Sequence, residues 1–303
     1  MTWSRVSEWW NRFFFAPGDP RPLALLRVGL GAMMALEWIL IAPNLQELFG
    51  PHGFLEIRLM DAVSGPSTAS FAAEIAALGL PYGLALWIFY GIRCYAILGF
   101  TLGVGTRFHT VLLWITQVLV MRSGVFAVYG VDRYFHLLLF PMMFLRTDGA
   151  LSLHRRGPAE KPDWRSTFGL RWLQILILLT YLDAGLSKAA GPGWWDGNAI
   201  WRCLNMPEFR VWDFTWMAQV PWLPKLIGWS TLFFETFYPI AAFIPFVGGL
   251  WALVIIGMHL GIALFMGLGI FGVTMALINF TLFVFPRFTG RRARPGRPGA
   301  RAP

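Results

Sequence analysis

One stretch of the sequence carries an acid and an amine into a strongly apolar region. Residues 180–197 read TYLDAGLSKAAGPGWWDG, with Asp183 and Lys188 on a predicted helix that ends before a tryptophan pair. Charged groups are costly in hydrocarbon, so each needs a functional or structural reason to be there. At helical spacing Asp183, Ser187 and Lys188 spread over roughly 140° of the helix, enough to face one cavity. The sequence therefore predicts a working site in this cavity, with acid–base chemistry open to it.

Other polar residues fall inside predicted apolar spans and are not scattered in depth. The outer half also holds Glu37, Arg122 and His136, and the middle holds Arg93, Glu235 and His259. These side chains are expected to share one cavity that opens to the outside. The residues expected to bind substrate there are Asp183, Arg122, Glu235, His259 and Trp195.

Each charged residue also has a structural interpretation. Lys188 lies near a helix end, where a lysine commonly extends its ammonium to the lipid headgroups. Arg93 lies too deep for that, so we expect it to pair with Glu37 or Glu235 and to hold the helices together. The sequence alone does not choose between these two acids.

The histidines allow a structural interpretation as well. Either His136 or His259 can be a core histidine bonded to a backbone carbonyl. Asp132, four residues before His136, is expected to be a solvated loop acid. Neither histidine shows the HxxxH or ExxH spacing of a dedicated metal helix, so no metal site is predicted.

The composition excludes an ordinary soluble globule. The 303 residues are 56% hydrophobic and 14% charged, with a mean hydropathy of +0.56. The net charge of +9 does not indicate nucleic-acid binding, because most Lys and Arg lie in short segments beside apolar spans. The sequence predicts an all-α, multi-pass protein of the bacterial inner membrane that contacts membrane lipids.

Eight spans are predicted, forming an all-helical bundle with both termini cytoplasmic. An even number of spans places the two basic ends and the basic linker at 146–171 on the same side of the membrane. The spans cover about 23–42, 81–103, 110–129, a short Pro141-containing segment, 168–189, 225–247, 250–268 and 270–286.

The chain outside the spans includes four kinds of segment. Residues 1–22 are aromatic and basic and predict an amphipathic helix at the membrane surface. Residues 43–80 predict a loop with a GPHG turn (Gly50–Gly53) and a helix-like stretch around Phe71–Leu80. Residues 288–303 predict a disordered basic tail. The tryptophan-rich residues 191–224 predict an interfacial cap.

Several motifs, taken in order, resemble the HTTM domain, the membrane part of vitamin K-dependent gamma-glutamyl carboxylases. They are ALLRVGLG with GPHG, VDRYFHLLLF, TYLDAGLSK with WWDG, FFETFYP, and MHLGIALFMGLGIFGVTMALINFTLF. The resemblance covers about residues 20 to 287 and implies a transmembrane domain over residues 23–287.

The resemblance implies a catalytic role for Lys188 and His136. In the carboxylases the matching lysine is the base that deprotonates reduced vitamin K, after which oxygen addition yields a strong alkoxide base. A base lysine has to be neutral, which a hydrophobic pocket favours. The resemblance thus implies a reduced isoprenoid quinone as cofactor. We expect Lys188 to point into the cavity beside His136, and Asp183 to bond elsewhere.

Two functions from different classes follow. The first is a redox or carboxylase-like enzyme that binds a quinol or similar lipid. The carboxylases carry a long lumenal domain that this chain lacks, so a separate extracytoplasmic protein partner is one expectation. The second is a non-enzymatic maturation, immunity or transport factor that uses the same cavity for binding or packing.

Overall fold

The computed structural model describes residues 3–50, 77–123, 128–155 and 158–292. Within these ranges the chain is helical and has no strand, and its one β-bridge joins Gly18 to Asp163. The predicted all-helical fold class is confirmed. The GPHG turn and most of the stretch at 71–80 lie outside the described residues.

Helices are numbered along the described chain. They are α1 (Trp3–Phe15), α2 (Arg21–Ile41), α3 (Leu45–Phe49), α4 (Tyr82–Leu102), α5 (Thr106–Ser123), α6 (Gly130–Met142), α7 (Trp164–Ala189), α8 (Pro192–Trp195), α9 (Asn198–Asn205), α10 (Trp222–Thr236), α11 (Tyr238–Ala241), α12 (Val247–Phe265), α13 (Gly269–Asn279) and α14 (Phe285–Arg292). A π-helical segment, Phe280–Val284, joins α13 to α14.

The chain forms two compact units. Unit 1 comprises Met1–Pro22, Glu160–Gly267 and Met275–Pro303. Unit 2 comprises Leu23–Ala159 and Leu268–Thr274.

Five helical segments in the described part of the chain are long and apolar enough to cross a membrane. They are Arg21–Phe49, Tyr82–Leu102, Trp164–Ala189, Val247–Phe265 and Gly269–Thr289. These segments correspond to five of the eight predicted spans. The chain therefore has the helices expected of a multi-pass membrane protein.

The other three predicted spans are shorter or more polar helices. Helix α5 has 18 residues but includes polar side chains, α6 has 13 residues and α10 has 15. The span predicted over 225–247 is divided, because α10 ends at Thr236 and a separate turn of helix covers Tyr238–Ala241. Pro239 explains the break, since its ring clashes with the carbonyl four residues earlier.

The described chain begins and ends with a helix, and both helices belong to unit 1. Helix α1 packs on α7, where Phe15 stacks on Phe168 with ring centroids 5.9 Å apart. This helix lies within the segment predicted to be amphipathic. At the other end, α14 continues to Arg292, so helix extends into the segment predicted to be a disordered tail. Residues 293–303 are outside the described ranges.

In unit 2, buried Arg27 joins the end of α4 to the loop after α6. Its guanidinium is fully buried. It donates to the carbonyl of Phe100 at 3.1 Å and also to the carbonyl of Leu151. Close packing continues between α4 and α5, because a Cβ on Gly99 would overlap the ring of His109.

Candidate functional site

The close crossing of α7 and α10 positions Lys188. Gly185 lies at this crossing, and a Cβ added there would come within 2.8 Å of the backbone nitrogen of Thr236. A larger residue would therefore push the helices apart. Lys188 follows Gly185 by about one helical turn, and Glu235 immediately precedes Thr236. The crossing thus brings together two residues that are far apart in the sequence.

Lys188 and Glu235 form an ion pair. The ammonium Nζ of Lys188 donates to Oε2 of Glu235. The side chain of Lys188 is 26% exposed and that of Glu235 is 6% exposed. The Nζ atom also lies 5.4 Å from the centroid of the Trp194 ring. A ligand approaching from outside the helices would therefore meet the ammonium before the carboxylate.

A tryptophan-rich segment covers the end of α7 beside this pair. The indole N–H of Trp195 donates to the carbonyl of Ala189 at 2.7 Å. The carbonyl of Trp195 in turn accepts the indole N–H of Trp229 at 2.9 Å. Gly228 permits this approach, since a Cβ there would lie 2.5 Å from the carbonyl oxygen of Trp194. Trp195, predicted to bind substrate, thus links α8 to both α7 and α10.

The acid of the WWDG motif accepts hydrogen bonds from the first residue of α9. Asp196 accepts the backbone N–H of Asn198 at 2.8 Å and its side-chain amide at 2.7 Å. The backbone hydrogen bond, the larger cause, lowers the pKa of the Asp196 carboxyl. Gly197 follows with φ +86°, a conformation that glycine adopts readily. These residues begin α9.

A buried hydrogen-bonded network joins α7 to α11, α12 and the end of α13. The amide of Asn279 donates to the hydroxyl oxygen of Tyr181 at 2.7 Å. The hydroxyl of Tyr181 also shares a hydrogen bond with Nε2 of His259, at 2.7 Å. The hydroxyl of Tyr238 donates to Oδ1 of Asn279 at 3.0 Å. His259 is therefore part of a network, whose other members the sequence did not single out as site residues.

The network and the ion pair share one helix, α7. Tyr181 lies about two turns before Lys188 on one face of α7. Tyr238 follows Glu235 by three residues, and the charge of Lys188 acts electrostatically on His259. Connected polar side chains within apolar helices are typical of proton pathways in membrane proteins.

Asp183 does not take part in the ion pair. Its side chain is exposed on α7, and within the described ranges it makes no hydrogen bond or ion pair. Lys188 pairs across to α10 instead of pairing with the acid on its own helix.

Two other predicted site residues, His136 and Arg122, belong to unit 2. The ring of His136 stacks on Trp114, with centroids 5.4 Å apart. Arg122 lies exposed in the last turn of α5. A joint site of Lys188 and His136 stays a prediction.

Unit 2 contains a buried polar cluster around Arg93. The guanidinium is fully buried and donates to Oγ1 of Thr116 at 3.3 Å and to Oε1 of Gln117. It also lies 4.6 Å from the centroid of the Trp38 ring. Its nearest polar partners are thus neutral side chains, although Glu37 and Asp132 act on it electrostatically.

Asp132 is buried and is not a solvated loop acid. It is 3% exposed and accepts the side-chain amide of Gln117 at 3.0 Å and the backbone N–H of Tyr129 at 3.1 Å. The position of α6 against α5 accounts for this burial. Glu235, one of the two acids proposed for Arg93, pairs with Lys188.

The arrangement in unit 1 suits proton transfer to or from a lipophilic molecule. An ammonium that is partly exposed can hold an anion, and the carboxylate behind it can accept a proton. In the described part of the chain, no group of three or more His, Cys, Asp or Glu could hold a metal ion. Comparisons with protein-family models, with curated proteins and with solved structures found no match to this chain.

Proposed function

We propose that this chain is an HTTM-type membrane enzyme that binds a lipophilic molecule with an acidic hydroxyl at Lys188 and Glu235 and removes its proton. An isoprenoid quinol is the expected ligand. The observation that carries this proposal is the ion pair itself, with a partly exposed ammonium and a nearly buried carboxylate between apolar helices. Such a pair is expensive to keep in hydrocarbon unless it is used or structurally required.

The proton passes from the ligand hydroxyl to the Glu235 carboxylate, and the Lys188 ammonium stabilises the resulting oxyanion. The amine of Lys188 contacts the carboxylate of Glu235 directly. The pair therefore shares the role that the family resemblance gives to the lysine alone. Tyr181 and His259, which share a hydrogen bond about two turns away along α7, are the groups proposed to take the proton onward.

The proposed topology keeps eight spans in the bacterial inner membrane, with both termini cytoplasmic. Helices α5 and α6, together with α10 and α11, supply the three spans beyond the five apolar segments. The distribution of basic residues supports this orientation.

The binding part of the proposal is tested by titrating ubiquinol-2 into the protein in nanodiscs, followed by tryptophan fluorescence. Lys188→Ala and Glu235→Gln are each expected to weaken binding roughly tenfold, which is about 1.4 kcal/mol. Trp194 is close enough to Lys188 to report binding. Lys225→Ala is the matched control, because Lys225 is an exposed lysine in the first turn of α10.

Unchanged affinity in Lys188→Ala and Lys188→Arg, with normal insertion and with the Lys225→Ala control intact, would remove the central residue from the proposal. An equal loss of affinity in Lys225→Ala would show that binding depends on net charge and not on Lys188 itself.

A non-enzymatic factor is the second candidate, and one observation favours it. Each charge of the ion pair satisfies the other, so the pair serves equally well to join α7 to α10. The charge-reversed variant Lys188→Glu with Glu235→Lys separates the two functions in a host-phenotype assay. A purely structural pair re-forms and function is kept, whereas a proton-transfer site loses its geometry and function is lost.

A further inference from the structure

A second polar site lies at the other end of α7, within unit 1. It is a cavity of about 390 Å³ that we call the two-arginine pocket, after Arg171 and Arg287. Its walls come from four helical segments and the turn after α11. Its lining includes Trp9, Phe13, Arg171, Gln174, Phe243 and Arg287.

Arg171 is held in place by neutral groups. Its Nε donates to the carbonyl of Phe13 at 3.3 Å, and its Nη1 donates to Oε1 of Gln174 at 2.8 Å. The guanidinium carbon lies 4.4 Å from the centroid of the Phe13 ring and 5.4 Å from that of Phe243. These hydrogen bonds and the two aromatic rings beside the guanidinium fix its direction.

Arg287 adds a second guanidinium to the same cavity. Its Nη2 donates to the carbonyl of Ala242 at 2.8 Å, and its charge acts on Arg171. No carboxylate of the described residues forms an ion pair with either arginine. Two like charges thus share a partly buried pocket without a counter-ion from the described residues, which is unfavourable unless an anion binds between them.

The surroundings indicate which anion fits. Trp9 and Phe13 belong to α1, whose aromatic and basic residues are typical of a helix at a membrane surface. The arginines lie towards the ends of two apolar segments, Trp164–Ala189 and Gly269–Thr289. Basic pockets between membrane helices are suited to phospholipid headgroups, with acyl chains along the apolar wall.

We propose that the two-arginine pocket binds the phosphate of an anionic phospholipid. The two guanidiniums contact the phosphate oxygens, and the aromatic residues of α1 contact the first part of the acyl chains. This site is separate from the Lys188 and Glu235 pair and does not depend on the function proposed for that pair.

The test measures the rise in melting temperature when dioleoylphosphatidylglycerol is added to the full chain in a neutral detergent. Wild-type protein is expected to be stabilised by this lipid and not by dioleoylphosphatidylcholine. Arg171→Gln with Arg287→Gln is expected to weaken apparent lipid affinity about tenfold or more, since each guanidinium that no longer contacts the phosphate removes about one factor of five. Native mass spectrometry counts the bound lipid directly.

The matched control is Arg5→Gln with Arg165→Gln, which removes two exposed arginines of unit 1 from outside the pocket. This control is expected to keep the lipid response. If the pocket variant does not fold, the single variant Arg287→Gln, which removes only one hydrogen bond, is measured in its place. Equal loss in the control and the pocket variants would overturn the proposal, because the effect would then follow net charge.

Sodium phosphate forms a separate arm of the experiment. If it produced the same stabilisation at the same concentration, the site would be one for free phosphate and the lipid assignment would be wrong. If it has no effect while phosphatidylglycerol does, the lipid assignment is supported.

Discussion

Replacing Lys188 with methionine is expected to lower the free energy of unfolding by about 3 kcal/mol, the cost of leaving one partner of a buried pair alone. Glu235 would then keep a nearly buried carboxylate without its ammonium. Removing the acid instead should cost less, because Lys188 is more exposed and its flexible side chain can reach water. Unfolding in a graded series of mixed micelles measures both losses.

The double variant Lys188→Met with Glu235→Leu is expected to recover most of that loss, because an apolar pair of similar size replaces a buried ion pair at little cost. This double variant and the two single variants, Lys188→Met and Glu235→Leu, form a double-mutant cycle. Lys225→Met is the single-lysine control. Simple addition of the two single losses would mean that the residues do not interact and would contradict the ion pair.

The second large effect is expected at Arg93. Changing it to leucine should lower the free energy of unfolding by about 3 kcal/mol, since the buried amide of Gln117 loses its donor and nearby acids lose their counter-charge. A lower melting temperature in detergent, together with reduced expression, is the readout.

Arg107→Leu is the control for this variant. Arg107 is exposed at the start of α5, so its replacement should change stability by only about 0.5 kcal/mol. An unchanged melting profile in Arg93→Leu would mean that Arg93 faces water and is not part of a buried cluster.

Apolar runs were sufficient to predict the membrane class and most helix positions. The five apolar segments lie close to their predicted limits because burial in hydrocarbon requires a long unbroken apolar stretch. The prediction of one unbroken span over 225–247 was wrong, because two separate helices cover it. Pro239 and Pro245 mark the break, and giving them more weight than hydropathy would have located it.

The partners within the site were harder to predict. Lys188 and Glu235 were both identified as site residues, but their contact depends on how α7 crosses α10, and the glycine that sets this crossing carries no charge signal. Helical spacing can be read from a sequence, and it suggests Asp183, on the same helix, as the acid nearest to Lys188. The burial of Asp132 likewise depends on helix packing that local spacing does not encode.

Neutral polar residues were the main omission. Gln117, Tyr181 and Asn279 complete the two buried clusters. None of them was predicted as a site residue, because the predicted site was built mainly from charged residues and histidines. An amide in the middle of an apolar helix is itself a signal, because its polar atoms need partners in a low-dielectric surrounding.

The most direct test of the proposed proton transfer is infrared difference spectroscopy of the protein in nanodiscs, recorded before and after ubiquinol-2 is added. If Glu235 accepts the hydroxyl proton, a carboxylic-acid carbonyl band appears on binding, moves in deuterated water and is missing in Glu235→Gln. Binding of ubiquinol-2 without any such band in the wild-type protein would contradict the transfer and leave the ion pair as a structural link between α7 and α10.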